Sequence, residues 1–217
     1  MDGSTIIREL RQDYRKKRKL IERRLAEFRR VYDHGDEAIF RELCFCIVTA
    51  GSSARMGFRT IELLDDLLLD GTERELQERA RAGHVRFWRL RPSYICRTRE
   101  YLRETCGLRL RELFDSFRTA EERRDFLAKN KSIKGVGYKE ASHFLRNIGF
   151  RGYAILDKHI VNSLREMDII PPRLKPTTRS GYLAIERNVA QFSREIGIDM
   201  DHLDLLLWSR KTGEILK

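Results

Sequence analysis

Lys139 and Asp157 stand eighteen positions apart, and the residues around them carry most of the chemistry the chain offers. Before the lysine runs Ile133-Lys134-Gly135-Val136-Gly137, and a helical pattern resumes at about Tyr138. Two glycines around one small apolar residue permit a very tight turn. Backbone N–H groups at the start of the next helix then point outward, a geometry that holds a phosphate without reading sequence. Ile133 and Val136 are expected to tuck beneath the turn, with Lys134 adding a cation beside it. On this piece alone, an ordinary helix–turn–helix connection fits as well. Lys139 falls in the first turn of the second helix, where the positive end of the macrodipole disfavours another positive charge. Lys134 and Arg146 push the same way, which favours a neutral, nucleophilic amine. Asp157 precedes the helical pattern Lys158–Glu166, where an aspartate is a normal cap. It also follows the apolar strip Tyr153-Ala154-Ile155-Leu156, so its carboxylate can take a proton or face a developing positive charge.

Helices must position these groups. Strand-like alternation is nearly absent, so the chain is expected to be all-α. Ser4 is a candidate cap for a first helix to about Tyr32, amphipathic through Ile7, Leu10, Tyr14, Ile21, Leu25, Phe28 and Tyr32. Asp36 is expected to cap a second, nearly all-apolar helix to about Ala50. Thr72 and Glu75 form a capping-box pattern, and Pro92 suits the first turn of a helix to about Thr105. Thr119 caps Ala120–Lys129, and further helices are expected at Tyr138–Asn147, Lys158–Glu166, Thr178–Ile196 and Met200–Lys211.

The 217 residues include 44 basic and 33 acidic ones, a net charge of +11 with 41% hydrophobic residues. That apolar fraction excludes a disordered tail, and no apolar run is long enough to cross a bilayer. No signal-peptide pattern opens the chain, so a cytoplasmic protein with no membrane partner is expected. The charge is unevenly placed: net +5 over residues 1–34, −4 over 36–71 and +5 over 122–151. A one-sided positive surface attracts a polyanion. The run Arg15–Lys19 taken alone reads as a solvated face. Cys44, Cys46, Cys96 and Cys106 match no zinc or iron–sulfur spacing, and the first three read as small core residues.

The hairpin Ile133–Gly137, Lys139 and the stretch Ala154-Ile155-Leu156-Asp157-Lys158-His159-Ile160 resemble the helix-hairpin-helix DNA glycosylase superfamily. Within it, Gly135-Val136-Gly137-Tyr138-Lys139-Glu140-Ala141-Ser142-His143-Phe144-Leu145-Arg146-Asn147-Ile148-Gly149 is close to a signature of the archaeal-type 8-oxoguanine DNA glycosylase/AP lyases. The second helix and the tail, Leu205 to Lys217, look like that group too. The resemblance implies two helical domains with a cleft between them: residues 1–35 with 151–217, and 36–150 with the helix-hairpin-helix over about 119–148. It implies a monomer that takes double-stranded DNA with a damaged base extruded from the stack. Lys139 would attack C1′ of the sugar, displace the base and form a Schiff base that decays by β-elimination. Asp157 would assist deprotonation and stabilise the oxocarbenium-like transition state. Lys134, Gly135, Val136 and Gly137 would hold the DNA backbone, and Trp208 and the terminal Lys217 would recognise the base. No metal or cofactor is implied beyond a monovalent cation at the hairpin carbonyls. Relatives usually carry an Asn or Gln after the second helix to fill the gap left by the extruded base. Here that place is Gly51-Ser52-Ser53, which leaves Ser52 or Arg55 as candidates. Phe87 and Trp88 read as core residues, or as a second face of the base stack. The same machinery acting on another damaged base fits these residues too, whereas a non-catalytic helix-hairpin-helix DNA-binding module accounts for the charge and the hairpin but not for Lys139 and Asp157 at this separation or for the tail.

Overall fold

The computed structural model of the chain describes residues 3–215, with side chains from Thr5 onward. The Ser4 side chain and Lys217 lie outside the described residues. Among the described residues every regular element is helical: α1 Gly3–Asp33, α2 Asp36–Thr49, α3 Ala54–Leu64, α4 Glu73–Ala82, α5 Leu90–Cys106, α6 Leu110–Ser116, α7 Ala120–Lys129, α8 Tyr138–Asn147, α9 Lys158–Glu166, α10 Arg179–Ile196 and α11 Met200–Thr212. No helix among them is long and apolar enough to cross a membrane.

The chain divides into two compact units. One takes the residues up to Phe28 and those from Phe150 on; the other is Arg29–Gly149. The resemblance puts the first division at residue 35, just past the first helix, whereas the structure divides inside α1. The last turn of α1 belongs with α6: the Tyr32 hydroxyl bonds the Asp115 carboxylate at 2.6 Å and the Arg111 carbonyl at 3.1 Å.

In the Arg29–Gly149 unit α2 is the central element. Ile39, Phe40, Leu43, Cys44, Cys46 and Ile47 are at most 1% exposed, and α3, α5, α6 and α8 pack around them. A helix apolar nearly all round is stable only when enclosed in this way. Burial pushes the Cys44 thiol well above its usual range, as befits an inert core residue. Buried Arg99 of α5 donates to the carbonyls of Leu68 at 3.0 Å and Gly71 at 2.7 Å, satisfying groups past the end of α3. Asp36 does not cap its own helix. Gly35, with φ of 96°, occupies that position, and Asp36 instead accepts the Arg111 N–H at 2.8 Å, at the start of α6. Its charge still favours the first turn of α2 through the macrodipole. The Thr72–Glu75 capping box forms as the spacing predicts, and Thr119 caps α7 as expected, with Glu122 completing a second box.

In the other unit Leu10 and Ile21 of α1 are fully buried. Arg11 donates from α1 to the Ile196 carbonyl at 3.1 Å, and Tyr14 and His202 lie 2.9 Å apart, so α1 is fastened to α10 and α11.

Candidate active site

The hairpin is built from α7, the turn 130–137 and α8. Asn130 shapes the entry: its side chain accepts the Ser132 N–H at 2.9 Å and its carbonyl accepts the Ile133 N–H. Ile133 and Val136 are buried beneath the turn, 3% and 7% exposed. The Lys134 N–H is held by the Thr98 hydroxyl of α5 at 3.0 Å. Gly135 has φ of +75°, and a Cβ there would lie 2.7 Å from the Tyr94 ring and 3.1 Å from Arg91. Both conditions demand glycine. Lys134 and Gly135 form the turn between Ile133 and Val136, and among the described residues the Gly135 N–H and carbonyl meet no protein partner. Gly137 caps α8, with its N–H on the Glu140 carboxylate at 3.3 Å. The Tyr138 hydroxyl bonds Asp125 of α7 at 3.1 Å, closing the hairpin.

Lys139 therefore stands in the first turn of α8, its side chain 30% exposed. Its Nζ lies 3.5 Å from a Glu140 oxygen. The sequence pattern points only to basic neighbours; the structure adds this carboxylate, which the cap of α8 recruits.

Asp157 belongs to the other unit and ends an extended strap, Tyr153–Leu156, whose four side chains are buried. Non-helical backbone in a core needs a partner for each polar group. Side chains of α10 and α11 supply them. The Ala154 N–H goes to Glu186 at 2.9 Å and the Ile155 N–H to Asp204 at 3.0 Å. Tyr182 donates to the Ala154 carbonyl at 2.6 Å, and the Leu156 N–H lies 3.3 Å from the same hydroxyl. Asp201 receives the Gly152 N–H at 3.1 Å. At the end of this strap Asp157 caps α9, one carboxylate oxygen taking the Ile160 N–H at 2.8 Å. Sequence reading misses Tyr182, Glu186, Asp201 and Asp204. The signal available is two polar pairs at helical spacing on otherwise apolar faces.

Trp208 is half-buried on α11, and its carbonyl accepts the Thr212 hydroxyl at 3.0 Å. Phe87 is not a core residue: it is 41% exposed, with φ of +60°. The Arg86 and Arg91 guanidiniums lie 4.7 and 5.4 Å from its ring. The same two arginines hold the loop after α2, Arg86 on the Gly51 carbonyl at 2.9 Å and Arg91 on the Ala50 carbonyl at 2.5 Å. Trp88 is half-buried between Arg81 and Arg89. Phe87 therefore faces solvent because arginines and a short loop, rather than apolar side chains, surround it. Ser52 is half-buried and Arg55 exposed in the adjoining segment. Among the described residues no group of three or more His, Cys, Asp or Glu could hold a metal ion.

A family model described as 8-oxoguanine DNA glycosylase matches residues 21–198. An 8-oxoguanine DNA glycosylase/AP lyase of Korarchaeum cryptofilum is 42% identical over 201 residues, 92% of this chain and 91% of that protein. One of Methanocaldococcus jannaschii is 37% identical over 198 residues, 91% of this chain and 92% of that protein. The crystal structure of the Methanocaldococcus jannaschii 8-oxoguanine glycosylase/lyase, in complex with a 15mer DNA containing 8-oxoguanine, superposes with a TM-score of 0.89 at 34% identity. That match covers 98% of this chain and 100% of that one. The 8-oxoguanine DNA glycosylase of Thermotoga maritima gives 0.88 at 30% identity over the whole of both chains. A glycine turn that leaves the Gly135 N–H unclaimed, a lysine one turn on and a carboxylate held at the end of a buried strap thus occur in a chain that belongs to the 8-oxoguanine DNA glycosylase family.

Proposed function

We propose that this chain is a bifunctional DNA glycosylase and AP lyase that removes 8-oxoguanine from duplex DNA and then cuts the strand. The observation that carries this reading is Lys139 in the first turn of α8, directly behind a glycine turn whose Gly135 N–H meets no protein acceptor among the described residues. Gly135, Val136 and Gly137 bind a DNA phosphate through backbone, with the Lys134 side chain as a further cation. The damaged nucleotide leaves the stack before reaction. The Phe87 ring and its flanking guanidiniums form a surface on which an unpaired base stacks. Trp208 takes part in recognising the extruded base, with the terminal Lys217.

The chemistry follows from an amine and a carboxylate. Neutral Lys139 Nζ attacks C1′ as the glycosidic bond breaks, and the base departs with the bonding electrons and takes up a proton. The nitrogen gives up one proton, the C1′–O4′ bond breaks with O4′ taking up a proton, and an iminium that keeps one N–H joins Nζ to C1′. Loss of a proton from C2′ then expels the 3′ phosphate by β-elimination. The Asp157 carboxylate accepts the lysine proton and stabilises positive charge at C1′. The Ile133 and Gly135 carbonyls are neutral oxygen donors, suited to a monovalent cation beside a bound phosphate.

Borohydride trapping tests this reading. A duplex with one 8-oxoguanine opposite cytosine is mixed with protein and reductant, alongside Lys139→Gln and an undamaged duplex. A covalent adduct that requires both the lesion and Lys139 is expected. Absence of adduct on this lesion and on an abasic site would leave a binding module. Trapping on the abasic site alone would keep the lyase and reassign the base.

A further inference from the structure

We infer that one exposed stripe of α1, formed by Arg8, Arg15, Lys16, Lys19 and Arg23, is a second binding surface for the phosphate backbone of duplex DNA. It lies on the unit to which the hairpin does not belong. All five side chains are exposed. At 3.6 residues per turn they fall within an arc of about 100° and extend over about 22 Å of helix. The acidic residues along the same length, Glu9, Asp13 and Glu22, fall outside that arc.

Other ionised groups of this chain show what a merely solvated helix face looks like. On α4, Arg74 pairs with Glu78 at 2.7 Å and Arg79 with Asp66 of the preceding turn. Elsewhere on α1 itself, Arg18 pairs with Glu22 at 2.8 Å and Arg24 with Glu27 at 2.6 Å. Along the stripe, by contrast, Arg8, Arg15, Lys16 and Lys19 come within 4 Å of no carboxylate among the described residues, and Arg23 meets Glu27 at 4.0 Å. Arg15–Lys19 and Lys19–Arg23 are like charges at i,i+4, an arrangement that destabilises a helix. Burial does not explain it, and Ile21 and Leu10 already fasten the opposite face. A row of cations along one helix, four of the five without an ion pair among the described residues, matches a polyanion with evenly spaced charge, whose condensed counterions are released on binding. Among such partners, duplex DNA is the one this family's chemistry requires, so the inference rests on the functional reading above.

The test is the salt dependence of binding to an undamaged duplex. The triple variant Arg15→Gln, Lys16→Gln and Lys19→Gln keeps good helix formers, and its melting temperature checks the fold. For each phosphate the protein no longer neutralises, log K against log salt becomes shallower by about 0.9, so a slope shallower by about 2 to 3 is expected. Affinity should fall at least tenfold, with the single-turnover excision rate at saturating protein unchanged. A control removes the same charge at Arg74, Arg173 and Arg194 and should leave the slope alone. An unchanged slope in the triple variant, or an equal change in the control, overturns the inference. So does weaker binding to phosphatidylglycerol vesicles with the duplex slope intact. If wild-type protein forms no borohydride adduct, the functional reading fails, and the slopes still decide whether the stripe meets DNA.

Discussion

The Tyr182 hydroxyl donates to the Ala154 carbonyl at 2.6 Å from a fully buried ring, and so anchors the strap that ends at Asp157. Tyr182→Phe leaves that carbonyl without its donor. A buried polar group left unsatisfied costs about 1–3 kcal/mol, so denaturant unfolding should show a decrease of that size. Single-turnover excision should fall while binding to undamaged duplex holds. Unchanged excision would mean that the strap needs no tether at Ala154.

Asp157 is both a cap and the proposed catalytic carboxylate, and the two roles separate by substitution. Asp157→Asn keeps an oxygen for the Ile160 N–H, so stability should stay within about 0.5 kcal/mol of wild type. Excision should drop by about 100-fold or more, since the charge is gone. Asp157→Ala should add a destabilisation of about 1 kcal/mol in the melt. Equal activity in the asparagine variant would restrict Asp157 to capping.

Gly135 tests the hairpin. Gly135→Ala places a Cβ 2.7 Å from the Tyr94 ring at a φ of +75°. We expect destabilisation of about 1–3 kcal/mol and weaker binding to duplex DNA, measured by anisotropy. Unaltered affinity would show that the turn does not hold a phosphate.

Asn147 of α8 donates to the Glu42 carboxylate of α2 at 2.7 Å, both residues being buried. This bond ties the helix that carries Lys139 to the centre of its unit. Asn147→Leu withdraws a donor from a buried carboxylate and should cost about 3 kcal/mol in urea unfolding. A decrease below about 1 kcal/mol would show that other partners of Glu42 suffice.

His202 gives the protein an acid sensitivity. Burial holds its imidazole below the ordinary value, with Arg151 and Arg18 adding to the effect and Asp199 and Glu22 opposing it. Below pH of about 6.5 the unfolded chain therefore binds a proton that the folded one still refuses. Stability falls as pH drops through that window, down to the lowered folded value. Melting curves at pH 7.5 and 5.5 should show a larger decrease for wild type than for His202→Gln. Equal decreases would assign the acid sensitivity to other groups.

Much of this protein is decided locally. Caps act within one helical turn, so Thr72 with Glu75, Thr119 with Glu122 and Asp157 before α9 are legible from spacing alone. The same holds for the apolar α2, for the glycine turn and for the place of Lys139 at the start of α8. Asp36 shows the limit: its type and position suit a cap, but its carboxylate goes to Arg111, seventy-five positions away. Phe87 has an apolar side chain suited to a core, yet arginines and a loop leave it exposed. The strap is the clearest case. Its apolar residues predict burial, but burial of extended backbone requires donors and acceptors from elsewhere. Those come from Tyr182, Glu186, Asp201 and Asp204, up to forty-nine positions distant. Residue type and short spacing determine helices, caps and the hairpin because those rest on bonds within one turn. Which buried polar groups meet, and which aromatic stays in solvent, depends on how whole helices pack, and only the tertiary structure decides it.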